Sequence, residues 1–250
     1  MLPHAILTVS QGRLFRQLAR HLLFRRPQLS ISASAHGAQA LFAPVVTTSY
    51  TPLLDIDYNL HKSNSTFFND LDDNRTELML ALFKNVVKPV KDGKETLKGK
   101  MFALGGTSCI FKKAIAPFAR YEISSRVLCW DTKWIYVVSH FTKPGSNKPT
   151  HFLVGSQLEK PVSSSVKGDH DDQQDRIYAT AITKYVFKAG RITCTPESVL
   201  GECGLLPATG EREQVQQECN KHLEVAQNFG SLDALHGTFV GRSGPAMYTY

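Results

Sequence analysis

One stretch, Ser65 to Phe83, constrains the fold more than any other part of the chain. Phe67, Phe68, Leu71, Leu78, Met79, Leu82 and Phe83 recur at helical spacing as a broad apolar stripe, with Asp70, Asp73 and Glu77 on another face. The acids crowd the first half, where negative charge suits the positive end of a helix dipole. Asp70 and Glu77 are expected on a solvated face, and Asp72 with Arg75 as an i,i+3 ion pair. A lone helix that is apolar over so much of its circumference has to be covered on more than one side. The segments around it are β-rich: Pro44 to Leu54 before it, and Met101 to Ile115, Tyr121 to Trp130, Trp134 to Phe141, a short edge strand at His151 to Leu158, and Tyr178 to Thr195 after it. The last of these is expected to bend near Gly190. The fold class is therefore α+β, with a curved antiparallel sheet around one central helix, although other α+β packings meet the same constraint.

Charge and cysteine content narrow the function classes. The net charge is +7, but residues 1–54 hold Arg13, Arg16, Arg20, Arg25 and Arg26 with no Lys, Asp or Glu, which leaves 24 basic against 22 acidic residues in the remainder. A folded basic face interleaved with aromatics is missing, so no nucleic-acid partner is expected. The Arg-rich, acid-free start reads as a mitochondrial transit segment or as a helix on an anionic membrane surface, with Leu14, Leu18, Leu22 and Leu23 at helical spacing. No run of about 18 apolar residues is present, so no transmembrane span is expected. The five cysteines, Cys109, Cys129, Cys194, Cys203 and Cys219, have neither a CxxC pair nor zinc-type spacing with histidine. No metal or cofactor is expected, and an intracellular, reducing compartment fits the odd count. The chain divides into a basic leader over 1–42, a core domain over 43–196 and a C-terminal helical extension over 197–250; residues 161–175 read as a mobile surface loop.

Between the first strand and the helix lies Asp55-Ile56-Asp57-Tyr58-Asn59-Leu60-His61-Lys62-Ser63-Asn64. This segment resembles the signature of the 4-hydroxybenzoyl-CoA-thioesterase-like hotdog family, D-x-D-x-x-G-H-x-N-N followed by an aromatic-bearing helix. On that match Asp57 is the second acid, His61 the histidine, Asn64 the last asparagine and Phe67 the helix aromatic. Leu60 stands where the family has glycine, and Ser63 where it has the first asparagine. A eukaryotic branch of the family is similar at these two positions as well. It also resembles the blocks Pro117–Glu122, Arg126–Asp131, Lys184–Lys188 and Gly190–Arg191, so that the likeness spans roughly residues 43–207. It includes fungal members encoded among biosynthetic genes for peptide or polyketide products.

The resemblance implies the hotdog fold, a homodimer paired sheet edge to edge, and hydrolysis of an acyl thioester carried on coenzyme A or an acyl-carrier protein. It implies Asp57, His61 and Asn64 as the site. Asp57 can serve as general base on water or attack the carbonyl itself. The first N–H groups of the helix are unsatisfied and suit a developing oxyanion. Asn64 can cap the helix, and His61 can shape the loop or donate to the thioester oxygen. Asp70 or Asp72 is a reserve carboxylate, and Lys112, Lys113 and Arg120 are candidates for contacting phosphate. With no G-x-S-x-G elbow, an α/β-hydrolase is disfavoured. A non-catalytic acyl-binding or scaffold protein on the same fold is the alternative, with an acyl-thioester dehydratase behind it.

Overall fold

The computed structural model describes residues 38–87, 90–91, 94–95, 99–147, 153, 175–207 and 212–238. A short helix α1 (Ala38–Phe42) leads into β1 (Val45–Tyr50), and the long helix α2 (Asn64–Val87) follows. After two short strands, β2 (Val90–Lys91) and β3 (Lys94–Glu95), come β4 (Met101–Phe111), β5 (Arg120–Trp130), β6 (Ile135–Thr142), β7 (Ile177–Ala189) and β8 (Ile192–Cys194). Helices α3 (Pro196–Glu202) and α4 (Arg212–Gly230) and a 3-10 turn (Ser231–Thr238) complete it.

The main sheet is antiparallel in the order β1-β5-β6-β7-β4, with β8 folded back on β7. The expected long last strand is thus a hairpin: Ala189 pairs with Ile192, and Gly190 takes φ +62 in the two-residue turn. Gly105 sits at a bulge in β4, where a Cβ would come within 2.2 Å of the Trp134 ring. Of the expected edge strand at His151 to Leu158 only Leu153 is described: it is buried, and its N–H bonds the Pro44 carbonyl at 3.0 Å. The remainder of that strand, the leader up to residue 37 and nearly all of the 161–175 loop lie outside the described residues.

Helix α2 lies across one face of the sheet. Phe67 and Leu71 near its start pack with Ile115, Tyr121, Ile123, Phe141, Ala179 and Ala181, while Leu78, Met79, Leu82 and Phe83 join a second cluster. The helix ends just before Lys88-Pro89, where proline disfavours helical backbone in the residue ahead of it. Its polar side was not all solvated. Asp70 and Glu77 are buried, and Asp70 is enclosed because Lys62 of the loop ahead of α2 and Tyr121 of β5 close over a position that helical periodicity alone leaves outside. The Asp72–Arg75 pair forms, and Arg75 runs on inward to the Thr183 hydroxyl at 3.2 Å.

The opposite face of the sheet carries the C-terminal segment. Thr183 and Tyr185 face Arg75 of α2, so Lys184 between them points the other way. There its ammonium meets Asp233 at 2.6 Å and lies over the rings of Trp134 and Phe229. Cys219 of α4 reaches β5, its sulfur accepting the Trp130 N–H at 3.3 Å. The sheet is therefore covered on both faces.

The loop from β1 to α2 is a small hairpin. Ile56 bridges Lys62, the Asp57 N–H bonds the His61 carbonyl at 3.0 Å, and the Leu60 N–H bonds the Asp57 carbonyl at 3.0 Å. Leu60 closes this turn at φ +60, in the left-handed region where the related motif has glycine. An L side chain there costs about 1–2 kcal/mol. Leu60→Gly is expected to raise stability by about 0.5–1 kcal/mol, the gain being reduced by the freer unfolded glycine chain. A urea unfolding midpoint that rises for Leu60→Gly and falls for the β-branched Leu60→Val checks this.

Candidate active site

Helix α2 starts where the hairpin ends. Ser63 stands at the cap position, its carbonyl accepting the Thr66 N–H at 3.0 Å and the Thr66 hydroxyl at 2.8 Å. Asn64, expected as the cap, is instead the first helical residue and is exposed. The backbone turns into the helix one residue earlier than the periodicity indicates, because Ser63 is already held by an N–H bond to the Asp55 carbonyl at 2.7 Å. The helix opening keeps N–H groups with no acceptor further back in the helix.

Asp57 and His61 face each other across the hairpin. The Asp57 Oδ1 accepts the Asn59 N–H at 2.9 Å and lies 3.5 Å from His61 Nδ1. Both side chains are partly open to solvent, 22% exposed for Asp57 and 36% for His61, so a ligand can reach the carboxylate. The sequence-expected trio therefore lies in one short segment: Asp57 beside His61, and Asn64 three residues on at the mouth of α2.

Beneath this hairpin is a polar cluster that sequence reading missed. Lys62 is buried, its ammonium 2.8 Å from Asp70 Oδ2 and 3.1 Å from Asp55 Oδ2. It lies over the rings of Phe67 at 5.4 Å and Tyr121 at 5.3 Å. The Tyr121 hydroxyl donates to the same Asp70 oxygen at 2.5 Å, and burial together with the Asp70 carboxylate pushes that phenol well above its ordinary pKa. The reserve carboxylates thus part company: Asp70 is enclosed and bonded, and Asp72 is engaged by Arg75. The only hint in the sequence is an acid and a lysine seven apart within the motif, Asp55 and Lys62.

The basic candidates share this end of the sheet. Phe67 packs edge-on against Phe111 at the end of β4, and the Lys62 N–H bonds the Ile115 carbonyl at 2.9 Å. Lys112, Lys113 and Arg120 therefore flank the β4–β5 connection next to the hairpin, with Lys113 paired to Asp175 at 2.7 Å. His140 lies elsewhere. Its neighbour Phe141 faces α2, so its ring is on the other face, bonded to the Thr180 hydroxyl at 3.1 Å, and burial with nearby Arg126 lowers its pKa. No group of three or more His, Cys, Asp or Glu suited to a metal ion occurs among the described residues.

Residues 51–189, which run from just ahead of the hairpin to the end of β7, match the model of the thioesterase-like superfamily. The chain is similar to the probable thioesterase atnL of Emericella nidulans, with 37% identity over 89% of this chain and 79% of the relative. It is similar to the thioesterase poxG of Penicillium oxalicum at 38% identity, over 91% of this chain and 80% of the relative. Among solved structures, a 1,4-dihydroxy-2-naphthoyl-CoA thioesterase from Synechocystis aligns with TM-score 0.43 and 9% identity, over 66% of this chain and 98% of the other. The family match over more than half of the chain, and the near-full-length likeness to fungal thioesterases, place this chain in the thioesterase-like superfamily, with its curved antiparallel sheet and central helix in the hotdog arrangement.

Proposed function

We propose that this protein hydrolyses an acyl thioester and that Asp57 is the carboxylate that acts on it. The observation that carries this is a solvent-reachable carboxylate, held by the Asn59 N–H beside His61, four residues ahead of the His61–Asn64 passage into α2. In the general-base route Asp57 takes a proton from water as the oxygen adds to the carbonyl, and the intermediate expels the thiolate, leaving acid and, after proton return, thiol. In the nucleophilic route Asp57 adds first, the thiolate leaves, and water opens the resulting anhydride. Both build negative charge on the carbonyl oxygen, which the N–H groups opening α2 are suited to receive. His61 holds the turn and can donate to the same oxygen; Asn64 lines the helix mouth.

The substrate is an acyl group on coenzyme A or on a carrier-protein arm, in keeping with the names of the fungal relatives. Lys112, Lys113 and Arg120 stand at the sheet end where the phosphates of such an arm would lie. A polyketide or peptidyl acyl group of secondary metabolism is the substrate proposed, on the resemblance to fungal family members encoded among biosynthetic genes. The protein acts as a homodimer. Among the described residues β4 ends the sheet on the side away from β1, and its Met101, Leu104 and Ile110 are at least half exposed, an edge suited to pairing with a second copy. Among the described residues no helix is long and apolar enough to cross a membrane, and the basic first segment is proposed as a targeting or membrane-surface element.

With acyl-CoA substrates of graded chain length, Asp57→Asn and Asp57→Ala are expected to lose at least about 100-fold in kcat. Hydrolysis retained in both removes Asp57 as the acting group. Binding without hydrolysis in the wild-type protein identifies an acyl-binding module instead. Sedimentation is expected to show a dimer, and Ile110→Lys on the β4 edge is expected to shift it toward monomer.

A further inference from the structure

Lys62 follows His61 directly, yet its ammonium is directed away from solvent, between Asp55 and Asp70 and against two aromatic rings. A lysine near a surface loop ordinarily extends its charged end to water, because removing an ammonium from water is expensive. An apolar side chain filling the space between Phe67 and Tyr121 would avoid that expense, and buried ion pairs are often no more stabilising than such a replacement. Stability alone is thus a weak reason for lysine at this position.

Geometry supplies a stronger one. Asp55 precedes the hairpin, Lys62 ends it, Asp70 belongs to the second turn of α2 and Tyr121 to β5. One ammonium joins the two ends of the hairpin to the helix, and the helix carboxylate is tied in turn to the sheet. The Lys62 backbone adds a bond to the Ile115 carbonyl and a bridge to Ile56. Asp57 and His61 are both partly exposed, and the contacts that join them to each other and to Asn59 stay within the hairpin.

We propose that Lys62 is a positioning residue: its buried ammonium, clamped between Asp55 and Asp70, fixes the Asp57–His61 hairpin at the mouth of α2. The proposal rests on Asp57 being the acting carboxylate, and it assigns Lys62 no contact with substrate. Misplacing a catalytic group by about 1 Å can cost about 100-fold in rate while leaving binding groups in place. Loss of the clamp therefore lowers kcat and leaves KM nearly unchanged.

The test compares wild type with Lys62→Met/Asp70→Asn, which leaves no uncompensated charge at that pair and keeps an acceptor for Tyr121. Steady-state hydrolysis of acyl-CoA and amide hydrogen exchange are both measured. The expected result is a folded variant with kcat down at least about tenfold and KM within about twofold. Its amides at Asp57, Leu60 and Lys62 are expected to exchange at least about tenfold faster, while α2 and β5 keep their protection. A folded variant with wild-type kcat, or with unchanged exchange in the hairpin, overturns the proposal. If the double variant does not fold, Asp55→Asn breaks the clamp from its more exposed end, and the same readouts decide. Asp57→Asn is assayed alongside: if it keeps full activity, the Asp57 reading fails by itself, while hydrogen exchange still reports whether Lys62 holds the hairpin.

Discussion

The structure depends on enclosing α2. Twelve of its side chains are buried, and four of those, Asp70, Asn74, Arg75 and Glu77, are polar or charged. Apolar burial supplies the driving force, and the curved sheet is the surface that delivers it. Polar groups carried inward must be bonded there, and their bonds decide how the helix sits. The Asn74 amide donates to the Thr47 hydroxyl of β1 at 2.9 Å and to the Ile123 carbonyl of β5 at 3.2 Å. Arg75 reaches Thr183 of β7, and Asp70 meets Tyr121 of β5. These directional contacts fix the rotation of the helix on the sheet, which apolar packing alone leaves adjustable.

That rotation places the candidate site. The N-terminal turn of α2 packs against the end of β4 through Phe67 and Phe111, and the hairpin after β1 is bonded to the β4–β5 connection through Lys62 and Ile115. Its turn closes through Leu60 in a left-handed conformation, one that the glycine of related motifs adopts at no steric cost. Phe118 in the neighbouring β4–β5 connection is also left-handed, at φ +59, and its N–H bonds the Thr51 carbonyl at 2.9 Å. Strain of this kind persists where surrounding bonds over-determine the backbone, as the ladder around Asp57 and the buried contacts of Lys62 do here.

The other face of the sheet has its own solution to burial. A curved sheet wrapped on one helix leaves its back uncovered, and here α4 and the following 3-10 turn lie against it. Lys184, Trp134, Phe229 and Asp233 resemble the device seen under the hairpin, a buried ammonium stabilised by two aromatic faces, here with one carboxylate in place of two. The C-terminal segment is thereby joined to the strands on whose inner face α2 rests.

Much of this was legible in residue order. The apolar stripe from Phe67 to Phe83 required a long covered helix, alternating segments required antiparallel strands, and the Asp57-to-Asn64 motif pointed to the candidate site proposed above, since each is a local pattern readable within about ten residues. Tertiary structure alone decided the polar interior. Asp70 and Glu77 share the polar face of an isolated helix, yet both are buried in the fold, Asp70 under the hairpin and against Tyr121 of the sheet. Lys62 looks like an ordinary surface lysine until Tyr121, 59 positions along the chain, closes over it with Asp70. The physical reason is one of range. Helix and strand periods are set by neighbouring residues, whereas the partners of a buried charge are set by where distant segments cross, and no local pattern encodes that crossing.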